Sequence, residues 1–321
     1  MTTNQMMFIF AAEELNFTKA AKRAYVSQQC LSNHIARLEK EYGIKLFNRK
    51  SRSLELTWAG RQLYLALMHI KKIEDNVAID IISQDANLHA TITVGMPSSR
   101  ASLIVSPMIA AYNRLYPNIR VDFVLRKTAD LLGMLEASKI DFMIGIDVNP
   151  NENIEEVVLT HERCLLYISE VMTKRFLLGL NPSPATTLSA DVFQKLPFSG
   201  MPDDSRLKLK LMNYLSEKSI PIKELCTVDN YTTLLMLAKN HVNAFIGSEC
   251  VLWSDFFQIL RRGNSHDKIF AFPIEGFNST MKISLVYAKN TLLPVHTKKL
   301  INLTRDLYQK DAYLNYLSSY N

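Results

Sequence analysis

The chain has 321 residues, 48% hydrophobic and 21% charged, with 10 glycines and 11 prolines. That length suggests about two domains, and the composition excludes disordered, collagen-like and low-complexity classes. The formal net charge of +6 is concentrated at the start: residues 1–62 hold ten Lys/Arg against five Glu, a net of +5. A basic head on a near-neutral body is the electrostatic footprint of a polyanion-binding module, although chance clustering of solvated charges gives the same count.

In chain order, residues 4–15 carry Met7, Phe8, Ala11 and Leu15 on one helical face. Thr18 is placed to cap a second helix, 18–25, whose Ala20, Ala21 and Ala24 allow close helix approach. Ser27 caps a third helix, 28–42, ended by Gly43. Leu31, Ile35 and Leu38 form its buried stripe, and Gln28, Gln29, Ser32, Asn33 and Arg37 lie mostly off it. Two helices joined by a short turn, the second presenting amides, hydroxyls and a base, suit a helix-turn-helix, though an ordinary helical hairpin shares that outline. Gln and Asn pair bidentately with adenine, and a helix N-terminus favours phosphate. Residues 46–49 and 53–56 then read as two short strands around the basic turn Lys50-Ser51-Arg52. This is a wing whose cations Arg49, Lys50 and Arg52 reach toward a minor groove or its phosphates.

The stretch from Phe8 to Leu63 resembles the winged helix-turn-helix of the LysR-type transcriptional regulators. The resemblance is carried by NFTKAA, the VSQ turn, LSNHIARLE, a G-x-x-LF-x-R strand and the LTWAG junction. It implies that Gln28, Gln29, Ser32 and Asn33 face the groove and that Arg52 is the wing tip. Gln29 and Cys30 stand where the family usually shows proline and a small residue, Asn33 where Arg is common, and Tyr25 where Leu is common. These departures bear on which DNA sequence is preferred.

Thr57 is placed to cap a long helix that ends near residues 84–87, with Leu63, Leu67, Ile70, Val77 and Ile81 as a near-heptad seam and Ile73 beside it. Such a helix packs on its own domain or on a second copy; a two-fold DNA reader requires the second. Beyond it, strands at 91–96, 119–125 and 140–146 alternate with helices at 102–115 and 129–137, predicting an α/β layout with a largely parallel sheet. A strand at 164–168 opens a second lobe with helices at 205–216 and 231–239 and a strand at 244–247. Residues 268–273 return to the first lobe, which 282–287 and a helix at 295–309 complete. TITVG, the helix ending in YP, IDFMIG and VDNYTTLLMLAKNHVNAFIGS are similar to the two-lobed, periplasmic-binding-protein-like effector domain of the same family.

The expected fold is therefore a winged helix-turn-helix (1–58), a linker and dimerisation helix (59–88) and an α/β effector-binding domain (89–321). Within the last, lobe I takes 89–161 and 269–321, and lobe II takes 162–268. A ligand is expected between the lobes, at strand ends and helix starts. Candidate contacts are Ser98, Ser99, Arg100 and Thr128 from one lobe and Asn230, Thr232 and Ser248 from the other. Each hydroxyl or amide serves equally as a cap or turn residue, and Arg100 equally faces solvent. Asp203, Asp204 and Asp229 disfavour a strongly anionic effector.

No GxSxG, HExxH, GxGxxG or Walker-type motif occurs, and the histidines (34, 69, 89, 161, 241, 266 and 296) lack metal-ligand spacing. No catalytic residue, metal site or cofactor is expected. No uncharged apolar run approaches the ~18 residues of a membrane span, and the first five residues have no basic leader region. The four cysteines (Cys30, Cys164, Cys226, Cys250) form no CxxC pair. The expected protein is a cytoplasmic, sequence-specific regulator with double-stranded DNA, a small-molecule effector and its own copies as partners. It forms a homodimer or homotetramer and has no membrane partner. The alternatives are a small-molecule binding protein without sequence-specific DNA regulation, or a redox-sensing regulator using, for example, Cys226 with Cys250.

Overall fold

The computed structural model describes residues 1–50, 53–82, 90–180, 186–249, 251, 268–289 and 291–309. The chain divides into two compact units, one built from Met1–Leu88 with the short stretches Gly133–Ile140 and Asn290–Val295, the other from the rest.

The first unit opens with α1 (Thr3–Glu14), whose N-cap Thr2 forms a reciprocal capping box with Gln5. Helix α2 (Phe17–Arg23) starts one residue before the expected cap: Asn16, not Thr18, accepts the N–H groups of Thr18 and Lys19. Asn is among the strongest N-caps, and Leu15 in the left-handed region (φ 45°) turns the chain just ahead of it. Helix α3 (Gln28–Tyr42) has the anticipated Ser27 cap and stops at Gly43, which has a φ of +66°. Leu31, Ile35 and Leu38 pack into one core with Phe8, Ile9, Ala20 and Ala21. Strands β1 (Phe47–Lys50) and β2 (Ser53–Leu56) pair antiparallel, Phe47 opposite Leu56 and Lys50 opposite Ser53. Leu54 and Leu56 turn toward the same core, and the Phe47 ring lies 5.5 Å from Phe8 and 5.4 Å, edge-on, from Phe17.

Helix α4 (Trp58–Ile82) is capped by Thr57, whose Oγ1 accepts the Gly60 N–H at 3.0 Å and donates to the Lys45 carbonyl at 2.7 Å. The anticipated end of this helix, and the Ile81 side chain, lie outside the described residues. Gly60 is required by close approach: a Cβ there would sit 2.1 Å from the Leu46 carbonyl oxygen. Gly60→Ala should therefore destabilise the head by about 1–3 kcal/mol, because backbone rather than a flexible side chain must shift. Urea denaturation of the two proteins checks this, and equal midpoints would refute it.

The second unit is built on a mixed sheet. Strand β3 (Ala90–Met96) runs parallel to β4 (Ile119–Leu125) and β5 (Phe142–Ile146), joined through α5 (Ser98–Asn113) and α6 (Thr128–Glu136). The next strand, β6 (Ile154–Ser169), has sixteen residues and begins ten residues before the expected strand. Its first half, Ile154-Glu155-Glu156-Val157-Val158-Leu159-Thr160-His161, shows no strict alternation and pairs only with a distant strand, so little in the local sequence marks it. Then follow α7 (Glu170–Phe176), α8 (Val192–Lys195), β7 (Phe198–Gly200), α9 (Arg206–Glu217), β8 (Glu224–Thr227), α10 (Tyr231–Lys239) and β9 (Phe245–Ser248). The described chain closes with β10 (Ile269–Phe272), β11 (Thr280–Ala288) and α12 (Val295–Gln309).

The strand order is β10-β6-β11-β5-β3-β4, with β9 also on β6, and β7 and β8 form a separate parallel pair. Strand β11 is antiparallel to β5 and β6, and β9 and β10 are antiparallel to β6. The largely parallel sheet expected from sequence is thus corrected: only β3–β4 and β3–β5 are parallel within it. Strand β6 serves both lobes. Residues 154–163 pair with β11, and 164–169 pair with β9 and β10. Because β10 lies against 166–169, the return to the first lobe is made by β11 and not by residues 268–273. Lobe I buries Val94, Met108, Phe142 and Leu285, and lobe II buries Leu166, Phe198, Leu234 and Phe245.

Candidate nucleic-acid interface and effector cavity

On α3 the capped end and the outward face hold the polar residues together. Thr18, Ser27, Gln28, Gln29, Asn33 and Arg37 are exposed, and Ser32 is half-buried. Gln28 and Ser32 form one row, four residues apart; Gln29, Asn33 and Arg37 form the neighbouring row at the same spacing. The Thr18 hydroxyl donates to Gln28 Oε1 at 3.2 Å, linking the two helices of the motif at its entry. Beside the second row the face is concave, lined by Ser27, Gln29, Cys30, Asn33, His34 and Arg37. His34 Nδ1 lies 2.7 Å from Asn4 Oδ1, so this imidazole braces α3 against α1. Arg49 and Lys50 lie in β1, but their side chains, and Arg52 entirely, fall outside the described residues.

Glu39, which sequence reading treated only as a charge, fixes the wing to α3. Its buried carboxylate accepts the Leu46 N–H at 2.9 Å, the Phe47 N–H at 3.4 Å and the Lys45 ammonium at 2.7 Å. Burial pushes its pKa up, but these donors outweigh burial and hold it below the ordinary carboxylate range. A glutamate directly after Leu38, on the side of the helix that the stripe of Leu31, Ile35 and Leu38 buries, was the available signal.

Helix α4 divides the expected apolar seam. Leu63 and Leu67 pack into the head core, whereas Ile70, Ile73 and Val77 are exposed.

In the second unit a cavity of about 560 Å³ opens where the starts of α5, α6, α9 and α10 converge. Ser98, Ser99 and Thr128 line it, with the charged Arg126, Lys127, Asp204, Arg206 and Asp229. Helix α5 begins at Ser98, four residues earlier than expected, and its N-cap Pro97 supplies no side-chain hydrogen bond. The Ser98 hydroxyl donates to Asp229 Oδ2 at 3.3 Å, and Thr128 Oγ1 accepts the Ile146 N–H at 3.1 Å. Lys127 pairs with Asp204; that hydrogen bond raises its pKa against the opposing effect of desolvation, with Asp204, Asp130 and Asp229 adding through their charge. Asp203 is exposed and does not line the cavity.

The other expected contacts stand elsewhere. Arg100 is 1% exposed and donates to both carboxylate oxygens of Glu162, at 2.8 and 2.6 Å. The Ser248 hydroxyl donates to Glu162 and accepts from Arg100 at 3.4 Å. Both residues are thus corrected from ligand contacts to members of a buried network that ties α5, β6 and the end of β9. Next to it Arg163 Nε donates to the buried Glu249 at 2.6 Å. Asn230 caps α10 by accepting the Thr233 N–H, and neither it nor Thr232 lines the cavity. Glu162 and Glu249 were missed because their partners are remote in sequence.

Among the cysteines, Cys164 is buried, and burial pushes its thiol up to about 12, so it stays protonated at neutral pH. Cys30 is half-buried and Cys226 exposed, both as free thiols, while Cys250 lies outside the described residues. Among the described residues no helix is long and apolar enough to cross a membrane.

Residues 5–61 match the family model of the bacterial regulatory helix-turn-helix proteins of the lysR family, and residues 85–309 match the LysR substrate binding domain. An uncharacterised helix-turn-helix regulator of Bacillus subtilis, YoaU, is 26% identical over 262 residues, covering 80% of this chain and 84% of its own. Several other curated regulators align over about half of their length. Among solved structures, ArgP of Mycobacterium tuberculosis superposes with a TM-score of 0.68 at 15% identity, covering 96% of this chain and 97% of its own. Full-length OxyR of Pseudomonas aeruginosa gives 0.66 at 14% identity, covering 96% and 95%. With both family models matched in order across most of its length, this chain belongs to the LysR family of DNA-binding transcriptional regulators.

Proposed function

We propose that this regulator acts as a homodimer, or as a homotetramer of two such dimers, which sets two copies of α3 in successive major grooves of an interrupted, roughly palindromic operator. Residues 1–58 read DNA, 59–88 pair the copies, and 89–321 bind the effector. The observation that carries the reading is the capped, exposed edge of α3. Gln28, Gln29, Ser32 and Asn33 stand on two adjacent rows, clear of the core that Leu31, Ile35 and Leu38 fill. Thr18, Ser27, Arg37, Arg49, Lys50 and Arg52 contribute phosphate contacts and salt-dependent affinity. The exposed Ile70, Ile73 and Val77 form the pairing face of α4. A small molecule in the α5–α6–α9 cavity shifts the balance between two arrangements of the DNA heads by binding one of them better. The protein works in the cytoplasm, without a cofactor or catalytic turnover.

The test is a pair of substitutions measured on a genomic operator and on random DNA. Asn33→Ala should cost about 1–3 kcal/mol of discrimination and leave random-sequence binding nearly intact. Arg52→Ala should weaken both and reduce the salt slope by about one. If the two variants behave alike, the division of roles is wrong, and equal wild-type affinity for operator and random DNA would remove sequence-specific regulation altogether.

A further inference from the structure

We infer that the effector is an α-amino acid with an apolar side chain. This rests on the reading of the 560 Å³ cavity as the effector site and names its ligand class.

The cavity places unsatisfied donors beside a carboxylate. Ser99 is 5% exposed and lines the cavity, and its hydroxyl has no hydrogen-bond partner among the described residues. The N–H groups of Ser98 and Ser99 open a sixteen-residue helix whose cap, Pro97, makes no side-chain bond to them. Two N–H groups and a hydroxyl at the positive end of a helix fit a carboxylate. The adjoining group is not a cation but Asp229, 3.3 Å from Ser98 Oγ. A ligand carboxylate held there meets a like charge unless the ligand brings its own positive group on the adjacent atoms.

The wider lining is mixed, with Arg126, Lys127 and Arg206 among four aspartates, so the group next to Ser98, which is Asp229, sets the local sign. Lys127 is already paired with Asp204, and Asp130 and Asp229 add negative charge around it. An ammonium one carbon from a carboxylate answers both needs: the carboxylate fills the α5 donors and the ammonium faces Asp229. A plain carboxylate is repelled by Asp229, and a plain amine leaves Ser99 and the two N–H groups unfilled. Around these groups the lining is mostly apolar, including Leu132, Ile146, Met201, Leu207, Leu209 and Met281, which leaves an apolar place for the ligand side chain.

Calorimetric titration of the full-length protein decides the matter. The probes are L-leucine, L-methionine and L-phenylalanine, each beside its deaminated acid (4-methylpentanoate, 4-methylthiobutanoate, 3-phenylpropanoate) and its decarboxylated amine. At least one amino acid should bind at least tenfold more tightly than both of its counterparts, and Asp229→Asn should remove most of that margin. A deaminated acid that binds as well as its amino acid overturns the ligand class while leaving the cavity as the effector site, and so does the absence of binding by all nine probes. Undiminished amino-acid binding by Met201→Trp, which fills the cavity, overturns the class assignment and the placement of the effector together.

Discussion

Glu162→Ala should lower the stability of the effector-binding unit by about 3–5 kcal/mol, because it strands the Arg100 guanidinium in a site where that residue is 1% exposed. For a unit of this size that is a fall in Tm of about 10 °C. The Ser248 hydroxyl loses its acceptor in the same step. The attraction between Arg100 and Glu162 is strong, but so is the cost of desolvating each, and the pair's net contribution is far smaller than the loss on breaking it. A double variant, Arg100→Met with Glu162→Leu, should therefore recover most of the single-variant loss. Thermal unfolding of the three proteins checks this, and a double variant as unstable as Glu162→Ala would show that the network contributes stability as an ion pair. The network joins α5, which begins at the cavity, to β9 in the other lobe, so its loss should also blunt the response to effector.

The second large effect belongs to Glu39→Ala. It removes the acceptor of the Leu46 and Phe47 N–H groups, both at buried positions, and should cost the head about 2–4 kcal/mol. Because these bonds hold the base of the wing against the recognition helix, operator affinity should fall with the wing's placement while the helicity of α3 is retained. The pH dependence has a definite sign. The folded-state pKa of Glu39 is depressed, so its contribution is fully present above the unfolded value of about 4.3 and is lost as pH falls through the lower folded value. The stability gap between wild type and Glu39→Ala should be constant from about pH 5 to 8 and shrink below about pH 4. A gap independent of pH down to 2 would show that charge plays no part in the bracket.

The recognition helix was legible because its signals are local: a Ser cap, a 3.6-residue stripe and a Gly stop all lie within residues 27–43. The same holds for α10, whose cap and apolar stripe lie together, and for β4, where Ile119, Val121, Phe123 and Leu125 recur at every second residue. The start of α2 was misplaced by one residue because Asn16 and Thr18 are both competent caps, and only the turn at Leu15 selects between them. The first half of β6 escaped notice because its partner, β11, lies more than a hundred residues later.

For the effector site, Ser98, Ser99 and Thr128 follow strands in the expected manner and line the cavity. Arg100 and Ser248 do not. Arg100 sits on the buried face of α5, where helical periodicity turns it from the cavity toward a glutamate 62 residues away.

By itself, the amino-acid order determined the elements of the head, the polar edge of α3 and the family to which the chain belongs. These depend on caps, stripes and turns within a few residues of one another, where backbone sterics and local hydrogen bonds act. The tertiary structure alone decided that Glu39 binds the wing, that Leu63 and Leu67 face inward while Ile70, Ile73 and Val77 stay outside, and that Asp229 stands beside the start of α5. Each of these depends on desolvation and charge pairing between groups that only the folded chain brings into contact.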